Sequence, residues 1–112
     1  IKHKEVFMDA QLKKGFLEFC VLAALKNEDS YGYQIVKDVS TCIEISESTL
    51  YPILKRLESS RMVTTYSVEH NSRLRKYYQI TPIGKEHILK FIEDWGEIKK
   101  IYDFVKGEQG DE

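Results

Sequence analysis

At 112 residues the chain is long enough for one folded domain and short for two. Apolar residues make up 42% and charged residues 31%, an ordinary balance for a water-soluble globular protein, and the longest apolar run, Phe19 to Leu25, is far too short to span a bilayer. A net charge of −1 excludes a uniformly basic nucleic-acid coat but not a local basic surface.

The first eight residues carry four polar or charged side chains, Lys2 to Glu5, and are expected to be a flexible segment; Met8 offers a second start beside Ile1. No apolar core followed by a cleavage site appears there, so the cytoplasm is the expected compartment. Asp9 is placed to cap a first helix running to about Lys26, whose second half, Phe16 to Leu25, is apolar nearly all round and should be buried on most sides. Ser30 is expected to cap a second helix from Tyr31 to about Ser40, with Ile35, Val36 and Val39 turned inward. Gly32 in its first turn costs roughly 1 kcal/mol of helix propensity, which points to close packing or close approach to a phosphate. A connector follows, with a short strand expected through Ile43–Ile45. Cys20 in the apolar run and Cys42 in the connector read as small buried hydrophobes rather than a disulfide framework.

The most informative stretch runs from Ile45 to Val63. Leu50, Ile53, Leu54 and Leu57 fall at i, i+3, i+4 and i+7, one apolar face of a helix. Ser46 and Ser48 are candidate N-caps. Pro52 favours a start near Ser48 or a bent first turn, because a helix begun at Ser46 carries the ring past its first turn. The opposite face holds Ser48, Thr49, Tyr51, Lys55 and Arg56, side chains able to donate to phosphates and base edges. Met62 to Glu69 is β-rich, His70 to Ser72 is a turn, and Arg73 to Ile80 returns as a second strand. Thr81 then caps a last helix with Pro82 at its first position, running to about Lys106 before Gly107. Ile88, Phe91, Trp95, Ile98, Tyr102 and Val105 step by 3 and 4 as an a/d seam. The acidic tail 108–112 is expected to be disordered.

Charge follows this layout. Ser46 to Ile80 has six basic residues against three acidic ones, whereas Thr81 to Glu112 has five against eight. The positive excess lies on the helix and hairpin. His3, His70 and His87 are far apart, and neither cysteine has a metal-ligand neighbour at i+3 or i+4, so no metal or cofactor is expected. No nucleophile elbow or Gly-rich phosphate loop is present, and no catalytic residue is assigned.

Helix, then hairpin with a basic tip, is the layout of a winged helix. Tyr31-Gly32-Tyr33, the run Ser48-Thr49-Leu50-Tyr51-Pro52-Ile53-Leu54-Lys55-Arg56-Leu57-Glu58, and Arg75-Lys76-Tyr77-Tyr78-Gln79-Ile80-Thr81 together resemble the PadR family of bacterial transcriptional regulators. The resemblance covers nearly the whole chain. It implies a mainly α fold with a small β-hairpin (α+β): a winged helix-turn-helix domain over residues 9–81 and a dimerisation helix over 82–107, as in the short branch of the family. It also implies a repressor that binds a palindromic operator in double-stranded DNA as a homodimer and is nucleoid-associated when bound. DNA contacts would come from Tyr31, Tyr33, Ser46, Ser48, Thr49, Tyr51, Lys55, Arg56, Arg73, Arg75 and Lys76. For Tyr31 and Tyr33 the residues alone leave phosphate contact and helix packing both open. Relatives often carry a longer arginine run at the wing; here Leu74 interrupts it. Trp95, mid-seam, would approach its own copy across the two-fold axis, and a planar aromatic effector between the two indoles is the ligand the resemblance suggests. The competing reading of a basic winged helix is a protein-interaction module that does not touch DNA.

Overall fold

The structure, a computed structural model, describes residues 9–107. The element order is α1 (Ala10–Ala24), β1 (Ser30–Tyr31), α2 (Gly32–Ser40), α3 (Glu47–Ser59), β2 (Val63–His70), β3 (Arg73–Ile80) and α4 (Pro82–Lys106). This is a winged helix with a long C-terminal helix, an α+β fold. The segments expected to be flexible, 1–8 and 108–112, lie outside the described residues.

α1 begins where Asp9 accepts a hydrogen bond from the Leu12 N–H, as its cap position demands. It closes at Leu25, slightly before the expected end. The second helix departs from expectation. Ser30 does not cap it: Ser30 and Tyr31 are extended and pair antiparallel with Tyr78 and Tyr77, adding a third strand to the hairpin in the order β1-β3-β2. Tyr31 is the N-cap residue and makes no side-chain cap bond. Satisfying backbone groups in a sheet edge has overridden the local capping preference. No strand forms through Ile43–Ile45; Ile45 is instead buried, anchoring an irregular connector.

α3 starts at Glu47, capped by Ser46, whose Oγ accepts from the Thr49 N–H at 3.3 Å. The cap is therefore Ser46 rather than Ser48, and the helix starts one residue before the expected Ser48. Pro52 lies inside the helix, where it removes only the bond to the Ser48 carbonyl; Ser48 is exposed, so water can take that carbonyl. Leu50, Ile53, Leu54 and Leu57 are all buried, as their spacing requires. The helix ends in a Schellman pattern, with the Met62 N–H donating to the Leu57 carbonyl at 2.9 Å and Arg61 left-handed at φ 63°. β2 and β3 pair in register from Val63↔Ile80 to His70↔Arg73. Asn71 and Ser72, both at positive φ, form the two-residue turn whose twist matches the strands.

α4 begins as its sequence dictates: Thr81 Oγ1 accepts from the Gly84 N–H at 3.1 Å and Pro82 occupies the first turn. Gly84 is required by close approach. A Cβ there would lie 2.4 Å from the Met62 carbonyl oxygen. Gly107 ends the helix at φ 94°. One core unites the elements, built on Val21, Leu22 and Leu25 of α1, Ile35 of α2, the α3 face, and Val63, Tyr78 and Ile80 of the sheet.

The apolar seam on α4 divides in two. Ile88, expected at a dimer contact, belongs to the core of its own domain. Phe91 stacks on Phe19 at 4.1 Å, and Trp95 meets Phe16 edge-on at 6.3 Å, so α1 covers part of both. Ile98, Tyr102 and Val105 are exposed, and Ile101 and Phe104 join them outside the expected seam. Cys42 is exposed rather than buried, because the connector runs along the surface; Cys20 is half-buried.

Candidate nucleic-acid interface

The start of α3 presents a short uncharged surface. Ser46 Oγ donates to Thr49 Oγ1 at 3.2 Å and lies 3.1 Å from Ser48 Oγ, so the cap also orders the hydroxyls beside it. Ser48, Thr49, Tyr51 and Lys55 are all exposed on the face opposite the core. Arg56 is placed differently. Its Nε donates to Glu18 Oε2 at 2.7 Å, so the guanidinium is directed at α1 rather than outward from the basic face. The sequence carries no local sign of this, since Glu18 is distant along the chain.

Beside α3 lies an open cleft of about 450 Å³ bounded by Tyr31, Gly32, Tyr33, Glu47, Tyr51, Arg75, Lys76 and Tyr78. It brings together predicted residues from three separated segments. Gly32 sits under the Tyr51 ring, and a Cβ there would fall 2.2 Å from the phenol oxygen. Close packing, rather than helix propensity, explains the glycine. Burial, then Glu47 and Tyr78, pushes the Tyr51 phenol above its usual range, so it is a neutral donor at neutral pH.

The wing is braced by aromatic rings. Arg75 stacks its guanidinium 4.0 Å from the Tyr31 ring centre, Tyr31 meets Tyr77 edge-on at 5.4 Å, and Tyr77 stacks on Tyr66 at 5.7 Å. The Tyr66 hydroxyl donates to Asp29 ahead of β1. That hydrogen bond is the main cause holding the Tyr66 phenol above its usual range. The stack holds Arg75 against the β1–α2 corner, while Arg73 is exposed at the hairpin tip, Lys76 is exposed one residue beyond Arg75, and Leu74 is an exposed apolar residue between them. Sequence reading missed two further cations: Lys13 and Lys14 of α1 border a shallow cleft with Thr49 and Pro52. Only tertiary packing brings them there.

A recognition helix with a polar, partly basic face, set beside a braced basic wing, is the surface that a regulator of transcription presents to a duplex. The sequence model of the "Transcriptional regulator PadR-like family" matches residues 21–90. The chain belongs to the PadR-like family. An uncharacterised protein of Lysinibacillus sphaericus is 33% identical over 100 residues, covering 84% of this chain and 92% of the relative. A transcriptional regulator from Clostridium thermocellum has a structure superposing with a TM-score of 0.76 at 31% identity, over 87% of this chain and 96% of that one. A PadR family transcription regulator from Clostridium difficile R20291 superposes at 0.74 with 31% identity, over 81% and 98%. This PadR-like chain is thus a DNA-binding transcriptional regulator in its family assignment and fold. Among its described residues no three His, Cys, Asp or Glu gather as a metal site, and no helix is long and apolar enough to cross a membrane.

Proposed function

We propose that the chain is a ligand-responsive repressor that binds a palindromic operator as a homodimer. The observation that carries the reading is the juxtaposition of the exposed α3 start with the Arg75–Tyr31 stack across one cleft. Thr49, Tyr51 and Lys55 read base edges; Arg73, Arg75, Lys76 and the paired Tyr31 and Tyr33 hold phosphates; Ser46 and Ser48 order the helix start between them. Lys13 and Lys14 add charge on the α1 side. Arg56 contributes by fixing α3 on α1 through Glu18 rather than by contact.

Residues 9–81 then act as the DNA-reading domain and 82–107 as the dimerisation helix. The second half of α4 leaves Ile98, Ile101, Tyr102, Phe104 and Val105 uncovered, a stripe that a second copy would bury. Two recognition helices spaced about 34–36 Å apart enter successive major grooves on one side of the duplex. The dimer helices set that spacing, so a planar aromatic effector seated near Trp95, Phe16 and Phe91 would alter it.

The test is selection of bound fragments from random duplex, followed by salt titration on the selected site. A selected site with two inverted half-sites and a steep salt slope supports the reading. A chain that binds no duplex at low salt is an interaction module instead. Trp95 is the only tryptophan, so its emission reports the effector directly. Aromatic compounds that release DNA without changing that emission would place the effector elsewhere.

A further inference from the structure

The surface between α1, the α2–α3 connector and α4 contains an apolar cavity of about 420 Å³, lined by Phe16, Phe19, Cys20, Cys42, Ile43 and Phe91. Two of these are the only cysteines in the chain. They come from different elements, Cys20 from α1 and Cys42 from the connector, yet they share this one cavity. Lining one cavity, the two thiols are near neighbours in space although 22 residues apart in sequence. The connector is held in place there: the N–H groups of Cys42 and Ile43 both donate to the Val39 carbonyl at 2.9 Å. Neither cysteine lines the cleft between α3 and the wing.

We propose that Cys20 and Cys42 form a modification site, converted by a hydroperoxide into an intramolecular disulfide that weakens DNA binding. The effect on DNA rests on the reading given above; the bond itself does not. The exposed Cys42 sulfur attacks one peroxide oxygen, the O–O bond breaks, and water or an alcohol leaves with the thiol proton. Cys42 is then a sulfenic acid. The Cys20 sulfur attacks that sulfur, the S–S bond forms, the S–O bond breaks, and a second water carries away the remaining proton. Two electrons pass from the sulfur pair to the peroxide. Burial, and then its neighbour Cys42, pushes the Cys20 thiol above its usual range. Cys20 is therefore a poor first attacker and suits the second step, where proximity compensates.

The consequence follows from geometry. A disulfide fixes its sulfurs at about 2.05 Å and its Cα atoms within about 7 Å of each other. The bond would tie the connector to α1 and constrain its path, and Ser46, the α3 cap, lies four residues beyond Cys42. Displacing that cap displaces Thr49 and Tyr51.

The experiment uses the full chain, reduced, then treated with a small excess of hydrogen peroxide that is afterwards removed. Peptide mapping without reductant should find one Cys20–Cys42 link within a single chain. Affinity for the selected duplex at fixed salt should fall about tenfold, comparable to one poorly read base pair, and recover with dithiothreitol. Cys42→Ser, at an exposed position, should bind like the reduced parent and ignore peroxide; Cys20→Ser should match it. A Cys42–Cys42 link between chains, or sulfinic acid on Cys42 with no link, overturns the proposal. So does a complete link with unchanged affinity. Failure of the reduced chain to bind any duplex would overturn the DNA-binding reading instead, a result the peptide map keeps distinct.

Discussion

Gly32→Ala separates stability from recognition. The new Cβ would lie 2.2 Å from Tyr51 Oη and 2.9 Å from Cζ. Ordinary contact requires about 3.5 Å, so the phenol must retreat by more than about 1 Å. That retreat is feasible because the obstructing atoms are the end of an exposed, rotatable side chain rather than backbone. Alanine also has better helix propensity than glycine by about 0.5–1 kcal/mol, which offsets part of the strain. Thermal unfolding should therefore change little. DNA affinity should not be spared, because Tyr51 leaves its seat between α2 and α3. If Tyr51 reads a base edge, the loss is about 1–3 kcal/mol on the selected site, and smaller on random duplex. Fluorescence anisotropy on both duplexes, with melting curves alongside, measures the difference. The cycle with Tyr51→Ala is decisive: once the ring is absent, adding Gly32→Ala should cost nothing further. Full affinity in Gly32→Ala, where Tyr51→Ala alone is damaging, would refute the packing argument. Additive losses in the double variant would show that Gly32 acts on DNA by another route.

Other outcomes follow from the same geometry. Arg73→Ala and Arg75→Ala should each weaken binding to all sequences nearly equally and lower the salt slope by about 1, measured from log K against log salt; an unchanged slope in the double variant would remove the wing from the interface. Gly84→Ala pushes a methyl group against the Met62 backbone carbonyl, which cannot rotate away, and should lower stability by about 1–3 kcal/mol in chemical denaturation. Ile98→Asp puts a charge into the uncovered α4 stripe and should give monomers by sedimentation, while a parent chain already monomeric at micromolar concentration would refute the dimer.

Some features were legible in sequence because their causes are local. The buried face of α3 follows from a 3.6-residue period, which needs only the helix itself to be read. The start and end of α4 follow from Thr81, Pro82 and Gly107, each acting on neighbouring backbone groups. The hairpin is legible from its β-branched run and polar turn, even without a glycine at Asn71–Ser72. Other features depend on partners far along the chain. A two-residue strand has no pattern of its own, so Ser30–Tyr31 reads as a cap until β3 lies beside it. Arg56 looks like a DNA-facing cation until Glu18, 38 residues away, accepts its hydrogen bond. The even spacing of the α4 seam does not reveal which residues its own domain covers; the position of α1 buries Ile88 and leaves Ile98 exposed. Periodicity and capping are properties of one segment and survive in the bare sequence. Which cation finds a carboxylate, which apolar residue finds the core and which two cysteines share a cavity are set by how the segments pack.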